Sequence, residues 1–224
     1  MPNRINLSLD GFTLENAVLL SKKIGGRCNA LKVHDLVDSE GAPRAIPVLK
    51  ETGTKVWVDY KLHDTPDTVG KRAKALRKNG ADIITVHASG GVGMMKAAVD
   101  SGANIIAVTI LTSLEEYEVN EIYGKLPNLK VPELALKAKE AGCYGIVCSP
   151  REVGLLYAMP ELEGMKFITP GVRSSGVALN DQKRVDTPRG ALLSGADQIV
   201  VGRQLTEAEN SLDAFNLLLA ELPD

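Results

Sequence analysis

The segment Val58-Asp59-Tyr60-Lys61-Leu62-His63-Asp64 gathers two carboxylates and an ammonium within seven residues. It follows directly on the apolar run Lys55–Val58, which reads as a strand. Side chains two apart on a strand share a face, so Asp59 and Lys61 are expected side by side. Lys32, in the run Ala30–Val33, lies on the preceding strand and approaches Asp59 from the other side. An alternating array Lys32–Asp59–Lys61–Asp64 keeps Lys61 protonated, because flanking carboxylates favour its charged form. A lysine held as a cation is a proton donor or an electrostatic anchor. It is a poor Schiff-base nucleophile, which must be neutral to attack. A lone Asp-x-Lys reads first as a structural ion pair. Two further segments, Thr169-Pro170-Gly171-Val172-Arg173 and Gly202-Arg203, shift that balance. Their glycines permit close backbone approach, and their arginines offer a fork that matches phosphate oxygens. Charged strands facing such loops fit a small phosphorylated substrate.

These residues need a scaffold that brings distant segments to one mouth. Eight short apolar runs recur along the chain: Ile5–Leu9, Ala30–Val33, Lys55–Val58, Asp82–Val86, Asn104–Ile110, Tyr144–Cys148, Lys166–Ile168 and Gln198–Val201. Helical periodicity lies between them, as in Leu14–Ile24, Thr68–Lys78, Met94–Ser101, Val131–Ala141 and Thr187–Leu193, with Ala208–Leu222 last. Several helices end in a glycine stop just before the next strand, as in Asn79-Gly80-Ala81-Asp82 and Ser194-Gly195-Ala196-Asp197. This punctuation marks βα units with short connections. Eight such units in 224 residues predict an α/β fold, a (β/α)8 TIM barrel forming one domain over residues 1–224. An open doubly wound sheet is the alternative. The polar stretch Thr112–Asn128, after the fifth strand, has the length expected of a mobile active-site loop. In a parallel barrel the chemistry sits at the C-terminal strand ends. The ionisable residues obey that rule: Asp10, Lys32, Asp59, Lys61, Asp64, His87, Arg173 and Arg203 all fall there.

Composition narrows the class. Aromatics are 4% of the chain, so the core must be aliphatic, which suits a helix-covered sheet. The 26 basic and 28 acidic residues provide no basic field, which argues against nucleic acid as the main partner. Cys28, Cys143 and Cys148 form no CxxC pair and fit reduced thiols in a cytoplasmic protein. No apolar run approaches the ~20 residues of a membrane span, so no membrane partner is expected. The His, Cys, Asp and Glu spacings match no zinc or iron site. Asp10, Asp59 and Asp64 could hold Mg²⁺, but Lys32 and Lys61 supply the charge a metal would bring; no metal and no cofactor are expected. His87 reads equally as a substrate donor or a structural residue, and His34 and His63 as solvated or structural.

The segment from Val58 to Thr68 resembles the DxKxxDxPxT signature of the orotidine 5′-phosphate decarboxylase family. Asp10, Leu31-Lys32-Val33, Val86-His87-Ala88, Leu111-Thr112-Ser113, Thr169 to Arg173, Asp181-Gln182 and Val201-Gly202-Arg203 all follow in the family's order. The resemblance implies cofactor-free decarboxylation of orotidine 5′-phosphate to UMP in pyrimidine synthesis. It implies that Lys61 protonates C6, that Asp59 sits near the scissile carboxylate, and that Lys32 and Asp59 hold Lys61 in place. Asp10 and Lys32 would contact the ribose, and Thr112 and Ser113 the pyrimidine. Pro170, Gly171, Val172, Arg173, Gln182, Gly202 and Arg203 would form the phosphate side. The family is homodimeric, so Asp64 and Thr68 would reach the neighbouring subunit's site. Some members place the phosphate-side glutamine just after Pro-Gly-Val, where this chain has Ser174-Ser175. A close rival is the group of Mg²⁺-dependent sugar-phosphate decarboxylases and aldolases of the same superfamily. They share the DxKxxD core but typically lack the proline that Pro66 supplies here.

Overall fold

The computed structural model describes residues 4–174 and 186–223. Eight parallel strands close a barrel in sequence order. They are β1 (Ile5–Ser8), β2 (Ala30–Val33), β3 (Lys55–Leu62), β4 (Ile83–His87), β5 (Asn104–Val108), β6 (Gly145–Val147), β7 (Lys166–Thr169) and β8 (Gln198–Val201). The ring closes through β1 and β8, with Ile5 opposite Ile199 and Leu7 opposite Val201.

The helices return the chain from the C-terminal to the N-terminal end of the barrel. They are α1 (Leu14–Ile24), α2 (Asp35–Glu40), α3 (Ala42–Lys50), α4 (Pro66–Lys78), α5 (Gly91–Val99), α6 (Glu116–Tyr123), α7 (Pro127–Glu140), α8 (Pro150–Tyr157), α9 (Pro188–Leu193), α10 (Arg203–Thr206) and α11 (Ser211–Glu221). Their starts are capped locally. Thr13, Thr65, Ser149 and Thr187 each accept a backbone N–H of the helix they precede.

The polar stretch expected to be a loop, Thr112–Asn128, contains α6. It hides from periodicity because Val119 is its only buried residue. The reciprocal Glu115–Glu118 capping box starts it.

Alternation along the strands produces two apolar layers. An inner layer of Ala30, Trp57, Ile83, Ile106, Val108, Val147, Ile168 and Val200 fills the barrel. The outward residues pack with the helices in one larger shell. The helix–Gly–Ala–Asp stops have a second function at the barrel's base. Asp82 bonds β3 twice, its N–H donating to Val56 O and its Oδ2 accepting from Val56 N, at 2.9 and 2.8 Å. Asp197 repeats this on Phe167 of β7, at 2.9 Å for both bonds. The N-terminal end is thus a fastened rim, and the C-terminal end is left for chemistry.

Candidate active site

The C-terminal mouth encloses a cavity of about 490 Å³. Its walls include Asp10, Lys32, Asp59, Lys61, Thr112, Pro170, Gly171, Arg173, Gly202 and Arg203. Ten residues proposed from sequence therefore meet in one space. Their charges interlock. Asp59 Oδ2 accepts from Lys61 Nζ at 2.9 Å and lies 3.2 Å from Lys32 Nζ. Lys32 Nζ also reaches both oxygens of Asp10 at 3.1 Å. Asp10 in turn accepts from Ser8 Oγ at 2.7 Å.

Burial raises the stakes of this pairing, because an unpaired charge in low dielectric is costly. Burial alone works against ionised Lys32, but Asp59 and Asp10 carry its pKa above the ordinary value. Burial likewise pushes the Asp59 carboxyl up, yet Lys32 and Lys61 hold it below the ordinary value. Both groups are ionised at neutral pH. Burial lowers His87, and neighbouring His63 and Lys61 push the same way. His87 is therefore neutral there, its ring 5.4 Å from that of His63.

Asp59 and Lys61 do meet, but not by regular alternation. Between the pairs Val58–Ile84 and Leu62–Val86, β3 advances four residues while β4 advances two. The extra length is a bulge, the device that re-aims side chains at active sites. Lys61 sits in it at φ 48°, the one non-glycine residue with positive φ among those described.

Asp64 does not join the array within its own chain. The bulge ends at Leu62, and Asp64 is exposed, its Oδ1 accepting from Thr65 N at 2.6 Å. Within one chain the array is Asp10–Lys32–Asp59–Lys61. Thr68 is half-buried in the first turn of α4 and, like Asp64, does not line the cavity. Ser113 is exposed beside it. Val172 is buried and pairs with Asp186 behind the cavity wall. Gln182 lies outside the described residues.

The two arginine-bearing loops are tied to each other. Ser174 N donates to Gln204 Oε1 at 3.1 Å, and Gln204 Nε2 returns a bond to Ser174 Oγ. Arg173 is buried, with Nη1 donating to Val172 O at 2.7 Å. Gly202 leaves room for Ser8; a Cβ there would stand 3.3 Å from the serine Cβ. β3 and β7 are four strands apart in a ring of eight, so the lysine array and the Arg173 loop face each other across the mouth.

Several neighbours escaped sequence reasoning. His34 is not merely solvated: its Nε2 lies 3.3 Å from Asp10 Oδ1. With Asp35 these residues bring three potential ligand atoms within 4.8 Å of one another. Thr85, Trp57 and Gln204 were also missed. Their one available signal was a polar or bulky residue at an inward strand position or just after Gly202-Arg203.

Fold and site together define a (β/α)8-barrel enzyme with its ionisable groups gathered at the C-terminal mouth. The chain belongs to the Orotidine 5′-phosphate decarboxylase / HUMPS family, whose model matches residues 3–216. It is 43% identical over 184 residues to an orotidine 5′-phosphate decarboxylase of Streptococcus pneumoniae serotype 19F, covering 80% of this chain and 78% of that protein. Among solved structures, it is similar to the orotidine 5′-phosphate decarboxylase of Lactobacillus acidophilus. That match has a TM-score of 0.83 at 30% identity, covering 99% of this chain and 100% of that one. The corresponding Pyrococcus horikoshii enzyme matches with a TM-score of 0.81 at 27% identity, over 97% and 98% of the two chains.

Proposed function

We propose that this chain decarboxylates orotidine 5′-phosphate to UMP and carbon dioxide, without a cofactor, in pyrimidine synthesis. The observation that carries the reading is Lys61 Nζ, 2.9 Å from Asp59 Oδ2, across the barrel mouth from Arg173. The bond between C6 and the carboxylate breaks, and its electron pair stays on C6. A fixed ammonium at that position stabilises the developing charge. The Lys61 proton then passes to C6, and solvent restores it. Lys32 and Asp59 hold Lys61 in place, and Asp59 lies beside the scissile carboxylate. Lys32 and Asp10 take the ribose, and Thr112 with Ser113 the pyrimidine. The phosphate is held by Arg173, Arg203 and the backbone at Gly171 and Gly202, and the family resemblance assigns Gln182 to the same group. Phosphate binding far from C6 serves the transition state by fixing the base against Lys61.

The test is the ultraviolet change of orotidine 5′-phosphate with purified protein and no added metal. Turnover is expected in the wild type. Lys61→Ala is expected to lower kcat by at least about 10³-fold, the upper range for losing one preorganised transition-state donor. Equal turnover in that variant would refute the proton-donor role. The Asp10–His34–Asp35 group is the observation that favours the Mg²⁺-dependent relatives instead. Turnover that survives EDTA excludes that alternative, and turnover lost in EDTA supports it.

A further inference from the structure

The inner face of β4 holds a polar side chain that the reaction outlined above leaves unused. Thr85 is fully buried between Ile83, in the barrel's apolar layer, and His87 at the mouth. Beneath the cavity, Trp57 is the largest of the fully buried side chains and lines the cavity's floor. A buried indole N–H needs an acceptor. It finds Thr85, with Nε1 donating to Oγ1 at 2.6 Å.

A hydroxyl has one proton to give. With the indole occupying one lone pair of Oγ1 from below, that proton is free to turn toward the mouth. Asp59 lies on that side, one residue beyond Val58, as Thr85 lies one beyond Ile84. The Asp59 carboxylate is therefore the neighbour of the Thr85 hydroxyl across the strand pair, and a donor there helps hold that carboxyl below its ordinary value. This matters because both ammonium contacts fall on the same oxygen, Oδ2. Two cations on one oxygen leave rotation of the carboxylate poorly fixed, and a donor from a third direction fixes it.

We infer that Thr85 is a positioning residue for the decarboxylation, its hydroxyl oriented by Trp57 so that it sets the rotation of the Asp59 carboxylate beside Lys61. The inference rests on the decarboxylase reading and adds a directional chain, Trp57 to Thr85 to Asp59. Such a chain strengthens each bond in it. Its consequence is kinetic: an Asp59 free to rotate mis-aims Lys61 in the transition state while the distant phosphate contacts persist.

Steady-state kinetics of Thr85→Val, Thr85→Ser, Trp57→Phe and the Thr85→Val/Trp57→Phe double variant test this. Thr85→Val keeps the shape and removes the hydroxyl. Its kcat is expected to fall about 10- to 100-fold, as for a small misplacement at a reacting centre, with KM changed less than about threefold. The acid limb of its kcat–pH profile moves upward, because ionised Asp59 has lost a donor. Thr85→Ser restores kcat to within about threefold of wild type. Trp57→Phe lowers kcat less than Thr85→Val, and the double variant is no slower than Thr85→Val, since both act through one chain. The role is overturned if Thr85→Val keeps wild-type kcat, loses only KM, leaves the acid limb in place, or is matched in its loss by Thr85→Ser. Additive losses in the double variant also overturn it. If Thr85→Val does not fold, Trp57→Phe decides by the same kcat–KM split and pH shift. An inactive wild type overturns the decarboxylase reading itself. An active wild type with an unaffected Thr85→Val overturns the positioning role alone.

Discussion

Lys32 and Asp59 are exposed by only 7% and 8%, so each holds its charge because the other is there. Removing one partner of such a buried pair costs about 3–5 kcal/mol, since the remaining charge is left uncompensated. The pair also imprints a pH dependence whose direction follows from the two shifts. Asp59 titrates below its unfolded value of about 3.9. Its contribution to stability is complete above that value and is lost as pH falls through the folded one. Lys32 titrates above its unfolded value of about 10.4. Its contribution is complete below that value and is lost as pH rises through the folded one. Urea midpoints measured below about pH 4 should therefore fall more steeply for wild type than for Asp59→Asn, which lacks the titrating group. Parallel curves would show that Asp59 carries no such linkage. Lys32, Asp59, Lys61, Arg173 and Arg203 were legible in the sequence because each ends or adjoins a strand with an unusual charge. Thr85 and His34 were not, because their partners, Trp57 and Asp10, come from distant segments and leave no local trace.

At the scale of elements, the eight strands were legible because β-branched runs and glycine stops recur at a regular interval. Five helices, α2, α3, α6, α8 and α10, were not read from periodicity. α3 carries Pro43 in its first turn and Pro47 inside, residues that ordinarily signal a helix boundary. α8 did leave a sign, the Ser149–Glu152 capping box. The bulge in β3 left none, because nothing in Asp59-Tyr60-Lys61-Leu62 forces a left-handed lysine; it takes Asp59 and the β4 register to hold it. The β7 loop makes a prediction of its own. Gly171 has φ 73°, where an L side chain costs about 1–2 kcal/mol. That loop carries Arg173 and is bonded to Gln204 of α10, so strain at one glycine reaches both arginines. Gly171→Ala is expected to raise KM for orotidine 5′-phosphate about 5- to 10-fold through weaker phosphate binding, with kcat falling as well because the base is less firmly set against Lys61. A KM equal to wild type would show that the loop's conformation does not limit phosphate binding.

At the scale of the whole molecule, a net charge of −2 conceals the segregation of the Asp10–Lys32–Asp59–Lys61 array, with Arg173 and Arg203, to one mouth of the barrel. Two residues of the signature stand outside that segregation. Asp64 precedes the cap of α4, Thr68 lies in its first turn, and neither lines the cavity of its own chain, although Asp64 lies only three residues beyond Lys61. Thr65 holds them in a capped turn, its Oγ1 3.0 Å from Thr68 Oγ1, so the segment is presented rather than loose. A carboxylate presented at the rim of one barrel can complete the mouth of another, which is the homodimer arrangement the family resemblance implies. Two inactive variants then become a test of sharing. In a dimer of Lys61→Ala with Asp64→Ala, one site lacks both residues. The other joins an intact Lys61 to an intact Asp64 from across the interface. Random reassortment of equal amounts makes half the dimers hybrid, so about a quarter of wild-type activity is expected to return on mixing. Each variant alone stays inactive. If mixing restores nothing after subunit exchange has been verified by labelling, Asp64 acts within its own chain, and the rim segment must move toward Lys61 during the reaction.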